Sequence, residues 1–144
     1  MAGVHMGRKR PTVHDWNCLG VHFYSVGAYG LAIAQLEKAV RLAPELASLH
    51  FNLGGAYYGK GRLADAEREF RLTMERDPGH TRAHWFRGLC LEALGRLGEA
   101  LEEFEWVRQH STGTREARSA QEEIEMITRL AQSNGGDGSR TGLP

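Results

Sequence analysis

Apolar side chains recur along the middle of the chain with helical spacing. Leu53, Ala56, Tyr57 and Lys60 stand at i, i+3, i+4 and i+7, with only the last polar, which predicts an amphipathic helix. Leu63, Ala66, Phe70 and Met74 form a second apolar stripe just beyond Gly61. Gly61 is placed to close the first helix, because a left-handed residue at a helix C-terminus is least strained without a Cβ. Asp77-Pro78 ends the second, since proline has no N–H for a continuing ladder and disfavours a helical residue before it. Further on, Ala117, Ala120, Ile124, Ile127, Leu130 and Ala131 line one side of 115–132, with Glu116, Glu122, Glu123, Glu125 and Arg129 interspersed as solvated charges. This predicts one long helix, stopped by Ser133-Asn134-Gly135-Gly136.

The helix pair repeats. With Pro44 aligned on Pro78, Gly20, Gly54 and Gly88 fall at one position, and Gly27, Gly61 and Gly95 at a second. Ala32, Ala66 and Ala100 fall at a third, and Leu36, Phe70 and Phe104 at a fourth that is always large and apolar. The period is 34 residues, and such a period marks a stacked-repeat architecture. The small residues at Gly54 and Ala66 imply close approach of two helix backbones there.

This pattern resembles the tetratricopeptide repeat, a pair of antiparallel helices, A and B, with a Trp–Leu–Gly–Tyr–Ala–Phe–Ala–Pro signature. The first repeat, 13–46, carries Trp16, Leu19, Gly20, Phe23, Ala32, Leu36, Ala39 and Pro44; the second, 47–80, carries His50, Leu53, Gly54, Tyr57, Ala66, Phe70, Thr73 and Pro78. The third, 81–114, carries His84, Arg87, Gly88, Leu91, Ala100, Phe104 and Val107, and has Thr112 where proline is usual, so its B helix is expected to run on or stop irregularly. The resemblance implies an all-α, right-handed helical-repeat solenoid of three helix pairs. Residues 115–133 would form a C-terminal capping helix, since solenoid ends expose apolar faces. The Gly-, Arg- and Ser-rich ends, 1–12 and 134–144, are expected to be disordered.

Composition narrows the function. Lys+Arg and Asp+Glu are 18 each, and a net charge of zero argues against a nucleic-acid platform or an anionic-membrane binder. Residues 1–12 carry Arg8, Lys9 and Arg10 with no acid, so neutrality is a slightly acidic body offset by a basic tail. That tail could dock on an acidic surface. Six of the 18 glycines occupy the two repeat positions, so the excess reflects helix packing and termination. No apolar run approaches the ~20 residues that span a bilayer. The basic start lacks an apolar segment after it and fails as a secretory signal. Two cysteines, Cys18 and Cys90, make no disulfide framework, so a reducing, cytoplasmic location is expected, with each thiol buried and inert.

The resemblance implies that the A helices line a concave face. Asn17, Val21 and Tyr24 from the first repeat would line the groove, with Phe51, Asn52, Gly55 and Tyr58 from the second and Arg82, Trp85, Leu89 and Glu92 from the third. Aromatic residues the helix core does not require, in a groove with a few polar groups, suit an extended peptide or a partner helix; the alternative for Phe51 and Trp85 is packing between A helices, and inter-repeat packing is the expected role of Phe86. The family's carboxylate clamp for chaperone tails uses Lys, Asn, Asn, Lys and Arg on three A helices. Asn52 matches one asparagine and Arg82 replaces one lysine as a cation, but the other positions hold Asn17, Val21 and Phe86, which argues against that clamp.

Histidines do not build a metal centre: His80 and His84 are i, i+4, but no Cys or carboxylate completes a set by spacing, and His50 and His84 stand where Trp16 does, as packing residues. No cofactor is implied. There is no phosphate loop, nucleophile elbow or HExxH, and Glu99, Glu102, Glu103 and Glu105 read as a solvated acidic face of helix B. The expectation is a non-enzymatic protein–protein interaction module, an adaptor or assembly factor, binding a protein or peptide in the groove. The alternative is a structural scaffold that self-associates into a homo-oligomer through solenoid ends or its convex face.

Overall fold

The computed structural model describes Gly7 and residues 9–135. The expected disorder of the two ends therefore lies largely outside the described residues. Seven α-helices follow one another: α1 (Val13–Ser25), α2 (Tyr29–Leu42), α3 (Ala47–Lys60), α4 (Leu63–Arg76), α5 (Thr81–Ala93), α6 (Leu97–His110) and α7 (Arg115–Gly135). Each packs against the next, and α1 also reaches α3. This is an all-α helical-repeat solenoid. Among the described residues no helix is long and apolar enough to cross a membrane.

Local chemistry sets the helix limits. Thr12 caps α1 in a reciprocal box: its side chain accepts from the Asp15 N–H, and the Asp15 carboxylate accepts from the Thr12 N–H, satisfying two end donors. Gly27, Gly61 and Gly95 have φ of +78°, +82° and +78°, and form the tight A-to-B turns that a side chain would strain. Without a proline, α6 still stops cleanly at His110. Gly113, at φ +85°, turns the chain, and the Thr114 hydroxyl accepts from the Ala117 N–H to start α7. In contrast to the expected stop, α7 continues through Asn134 and Gly135.

The repeat glycines chiefly accommodate a ring or a branched side chain. A Cβ on Gly54 would stand 2.8 Å from Phe70 Cε1, one on Gly88 2.6 Å from Phe104 Cε1, and one on Gly20 2.5 Å from Leu36 Cγ. Each of these three glycines is thus the socket for the large apolar residue of its own B helix. The first core cluster joins repeats one and two through Ala32, Ile33, Leu36, Leu53, Tyr57, Ala66 and Phe70. A second joins the third repeat to α7 through Leu91, Phe104, Val107, Ala120 and Ile127.

Several polar residues differ from expectation. Glu103 is buried rather than solvated: His84 Nδ1 lies 2.6 Å from its Oε2, and Arg87 Nη1 donates to its Oε1. Arg87 also donates from Nε to Glu67 Oε1 at 2.9 Å. The pair recurs one repeat earlier, where His50 Nδ1 is 2.8 Å from Glu69 Oε2 and Nε2 is 2.7 Å from the Pro44 carbonyl. Cys18 is exposed, with its sulfur 3.4 Å from His14 Nε2. Among the described residues no helix precedes α1 to cover that face, whereas Cys90 is buried as expected.

Candidate functional site

The first-repeat A helix, α1, the second-repeat A helix, α3, and the third, α5, surround a cavity of about 180 Å³. Its walls are Val21 and Tyr24 from α1, Phe51, Asn52, Gly55 and Tyr58 from α3, and Arg82 and Phe86 from α5. Leu36 and Phe70, reaching through from the B helices, form its floor. The cavity exists because Gly55 leaves its centre open: a Cβ there would find only Tyr24 Cε2, at 3.7 Å.

The aromatic walls brace one another. Phe86 stacks on Phe70 at 5.7 Å between centroids, and Tyr58 meets Phe86 edge-on at the same separation. Such pairs hold their geometry beyond the area they bury. The rim is polar. Asn52 Nδ2 donates to Asn17 Oδ1 at 2.9 Å. The exposed Arg82 guanidinium lies 5.0 Å above the Phe51 ring, a cation–π arrangement. The Tyr58 phenol is raised above its ordinary value by burial first, then by Cys90 and Glu92.

Of the eleven residues expected to line the groove, Val21, Tyr24, Phe51, Asn52, Gly55, Tyr58 and Arg82 meet at this cavity. Asn17 stands behind Asn52 as its partner. Trp85 and Leu89 pack against the third-repeat core, with Trp85 5.3 Å from Phe104. Glu92 lies at the far end of α5, near Glu123 of α7. Phe86, Leu36 and Phe70 were not expected at the site. The signal for the floor was present in the always-large fourth repeat position. Phe86 both packs between repeats and lines the cavity.

Around this cavity Val21 and Phe86 place apolar surface where a carboxylate clamp would need polar groups, and Asn17 is committed to Asn52. Among the described residues, no group of three or more His, Cys, Asp and Glu side chains is arranged to hold a metal ion.

Comparison with known proteins agrees with this architecture. Residues 20–61 match the family described as TPR repeat, and residues 66–113 the family described as tetratricopeptide repeat. The chain belongs to the tetratricopeptide repeat family. Tetratricopeptide repeat protein 16 of Homo sapiens is 29% identical over 102 residues, 71% of this chain and 12% of that protein. The lipoprotein NlpI homolog of Haemophilus influenzae is 30% identical over 104 residues, 72% of this chain and 32% of that protein. The chain spans only 12% to 13% of the length of the first curated relatives it matches. Among solved structures, the first TPR of Spaghetti (RPAP3) bound to the HSP90 peptide SRMEEVD superposes with a TM-score of 0.77 at 25% identity, covering 90% of this chain and 99% of that one. The second TPR domain of human RPAP3, in complex with the HSP70 peptide SGPTIEEVD, gives 0.71 at 25% identity, covering 81% and 98%.

Proposed function

We propose that this chain is a non-enzymatic adaptor or assembly module that binds a peptide or helical segment of a partner protein in its concave groove. The observation that carries the reading is the aromatic cavity between α1, α3 and α5, open at Gly55 and rimmed by Asn52 and Arg82. A buried apolar anchor surrounded by a polar rim is the usual anatomy of a peptide hot spot. Preformed helices lower the ordering cost on the repeat side. The RPAP3 domains, of similar fold, are solved with chaperone peptides, which supports a peptide as the ligand class. Free thiols at Cys18 and Cys90 fit a reducing, cytoplasmic setting.

The test is selection of a random peptide display library on the full chain, followed by titration of recovered peptides against variants. Gly55→Leu, which fills the cavity, and Tyr58→Ala are each expected to weaken binding by more than 1 kcal/mol, at least about fivefold, with helicity retained. Unchanged affinity in both folded variants overturns the groove.

A second copy is a further candidate partner. Leu19 is 39% exposed, whereas Leu53, its counterpart one repeat later, is 3% exposed beneath the preceding helix pair. Light scattering over a concentration series tests self-association; a monomer throughout overturns it.

A further inference from the structure

The groove is electrically polarised along α5. Arg82 sits at the N-terminal end of this helix and Glu92 at its C-terminal end, ten residues or about 15 Å apart at ~1.5 Å per residue. Glu92 faces Glu123 of α7, and the Glu92 carboxyl is raised above the usual carboxylate range by burial first and by Glu123 second. The repeat register explains the meeting. The helix α7 begins 34 residues after α5, at Arg115 against Thr81. Glu123 therefore takes the repeat position of Val21, Gly55 and Leu89, a groove position, rather than the solvated one its sequence suggested.

Two independent features mark this end of the groove as incomplete. Glu123 Oε2 is fully occluded and has no hydrogen-bond partner. Among the described residues no Lys, Arg or His forms an ion pair with Glu92 or Glu123, although ten such contacts exist elsewhere, among them those of the Arg87 network. A buried acceptor without a partner is destabilising, and the carbonyl end of α5 adds further negative potential. Beside it lies the cavity, whose Tyr58 wall feels the Glu92 charge. Its volume of about 180 Å³ is comparable to the roughly 150 Å³ engineered cavity that holds one benzene ring.

We infer that the partner segment is basic: it places one large apolar or aromatic side chain in the Phe51–Tyr58–Phe86 cavity and a Lys or Arg against Glu92 and Glu123. This rests on the groove reading above and adds the partner's chemistry to it. Phe86 and Glu92 are six residues apart on α5, about 9 Å. An extended segment covers that in about three residues at ~3.3 Å each. The recognised pattern is therefore an anchor with a basic residue two to four positions away. A cation there relieves the repulsion between the two carboxylates, while Arg82 disfavours a basic residue on the opposite side of the anchor.

The probe is an oriented library of nine-residue peptides, with Phe fixed at the centre and every other position degenerate over all residues but cysteine. It is selected on the immobilised full chain, on E92Q/E123Q and on G55L, with helicity of each checked by circular dichroism. The wild type is expected to enrich Lys or Arg at least threefold over input, two to four positions from the Phe on one side. E92Q/E123Q is expected to recover peptide above blank resin without the basic bias, and G55L to recover nothing above blank resin. Wild-type recovery with no basic bias, or with a bias that survives E92Q/E123Q, overturns the inference and leaves the groove reading standing. If the wild type recovers nothing above blank resin, the groove reading falls and the inference falls with it.

Discussion

Gly54 in the middle of α3 and Gly98 in the first turn of α6 are both helical glycines, and their surroundings differ. A Cβ on Gly54 would press into the Phe70 ring at 2.8 Å, whereas one on Gly98 meets nothing within 4 Å. Gly98→Ala should therefore stabilise by up to about 1 kcal/mol through helix propensity. Gly54→Ala gains the same propensity but incurs an overpacking cost of about 1–3 kcal/mol, so a net loss is expected; urea denaturation of both variants checks the contrast in sign. The two thiols divide in the same way. Burial, and secondarily Glu67, pushes the Cys90 thiol up to about 12, while Cys18 is exposed. At pH 8 a thiol reagent should modify one site in the folded chain and two after denaturation. Burial likewise pushes the Tyr57 phenol up to about 12, helped by its hydrogen bond to Glu37. For both groups the folded state holds its proton above the unfolded value, so their contribution is complete below pH 9 and is lost as pH rises towards about 12. Stability should accordingly fall over that alkaline range, and chemical denaturation at stepped pH measures it.

Between elements, the two repeat junctions solve one packing problem with different chemistry. At the first, Ile33 of α2 and Leu53 of α3 belong to the same apolar cluster. At the second, 34 residues later, the same positions hold Glu67 and Arg87, joined at 2.9 Å and extended by Glu103 and His84. Removing one member leaves an uncompensated buried charge, so Arg87→Leu should cost about 3–5 kcal/mol. The double variant Glu67→Ile, Arg87→Leu recreates the apolar pair of the first junction and leaves Glu103 with His84, as Glu69 keeps His50. It should recover most of the loss, since apolar replacement of a buried ion pair is often neutral or stabilising. A double-mutant cycle in denaturant tests this, and purely additive losses would contradict it.

For the whole molecule, α7 completes the third repeat. Its Ala117, Ala120 and Ile127 are buried, the last two against the cluster that holds Leu91, Phe104 and Val107. A chain ended at Thr114 should lose stability and scatter light as aggregate, because that apolar face would meet water. Ile127→Ala should cost about 2–5 kcal/mol while leaving α1 to α4 helical, which thermal melting with circular dichroism would report. The same helix brings Glu123 opposite Glu92, so one element both closes the core and sets the charge at one end of the groove.

The 34-residue recurrence of Gly54, Gly61, Ala66 and Phe70 determined the helix pairs, their turns and the solenoid, because each of these positions meets a local demand: a socket, a left-handed turn, a close approach, a plug. The same register brings Tyr24, Phe51, Tyr58 and Arg82 around one cavity. Tertiary structure alone decided the rest. Trp85 packs against the third-repeat core, half-buried, because Phe104 lies within reach across the helix pair. Glu103 went inside because Arg87 and His84 were there to answer its charge. Glu123 came to face Glu92 because α7 keeps the register of the A helices. A charged residue carries no mark in sequence of whether its partner is water or another side chain. That depends on which surfaces stacking brings together, and here stacking buried Glu103 with partners and left an oxygen of Glu123 without one.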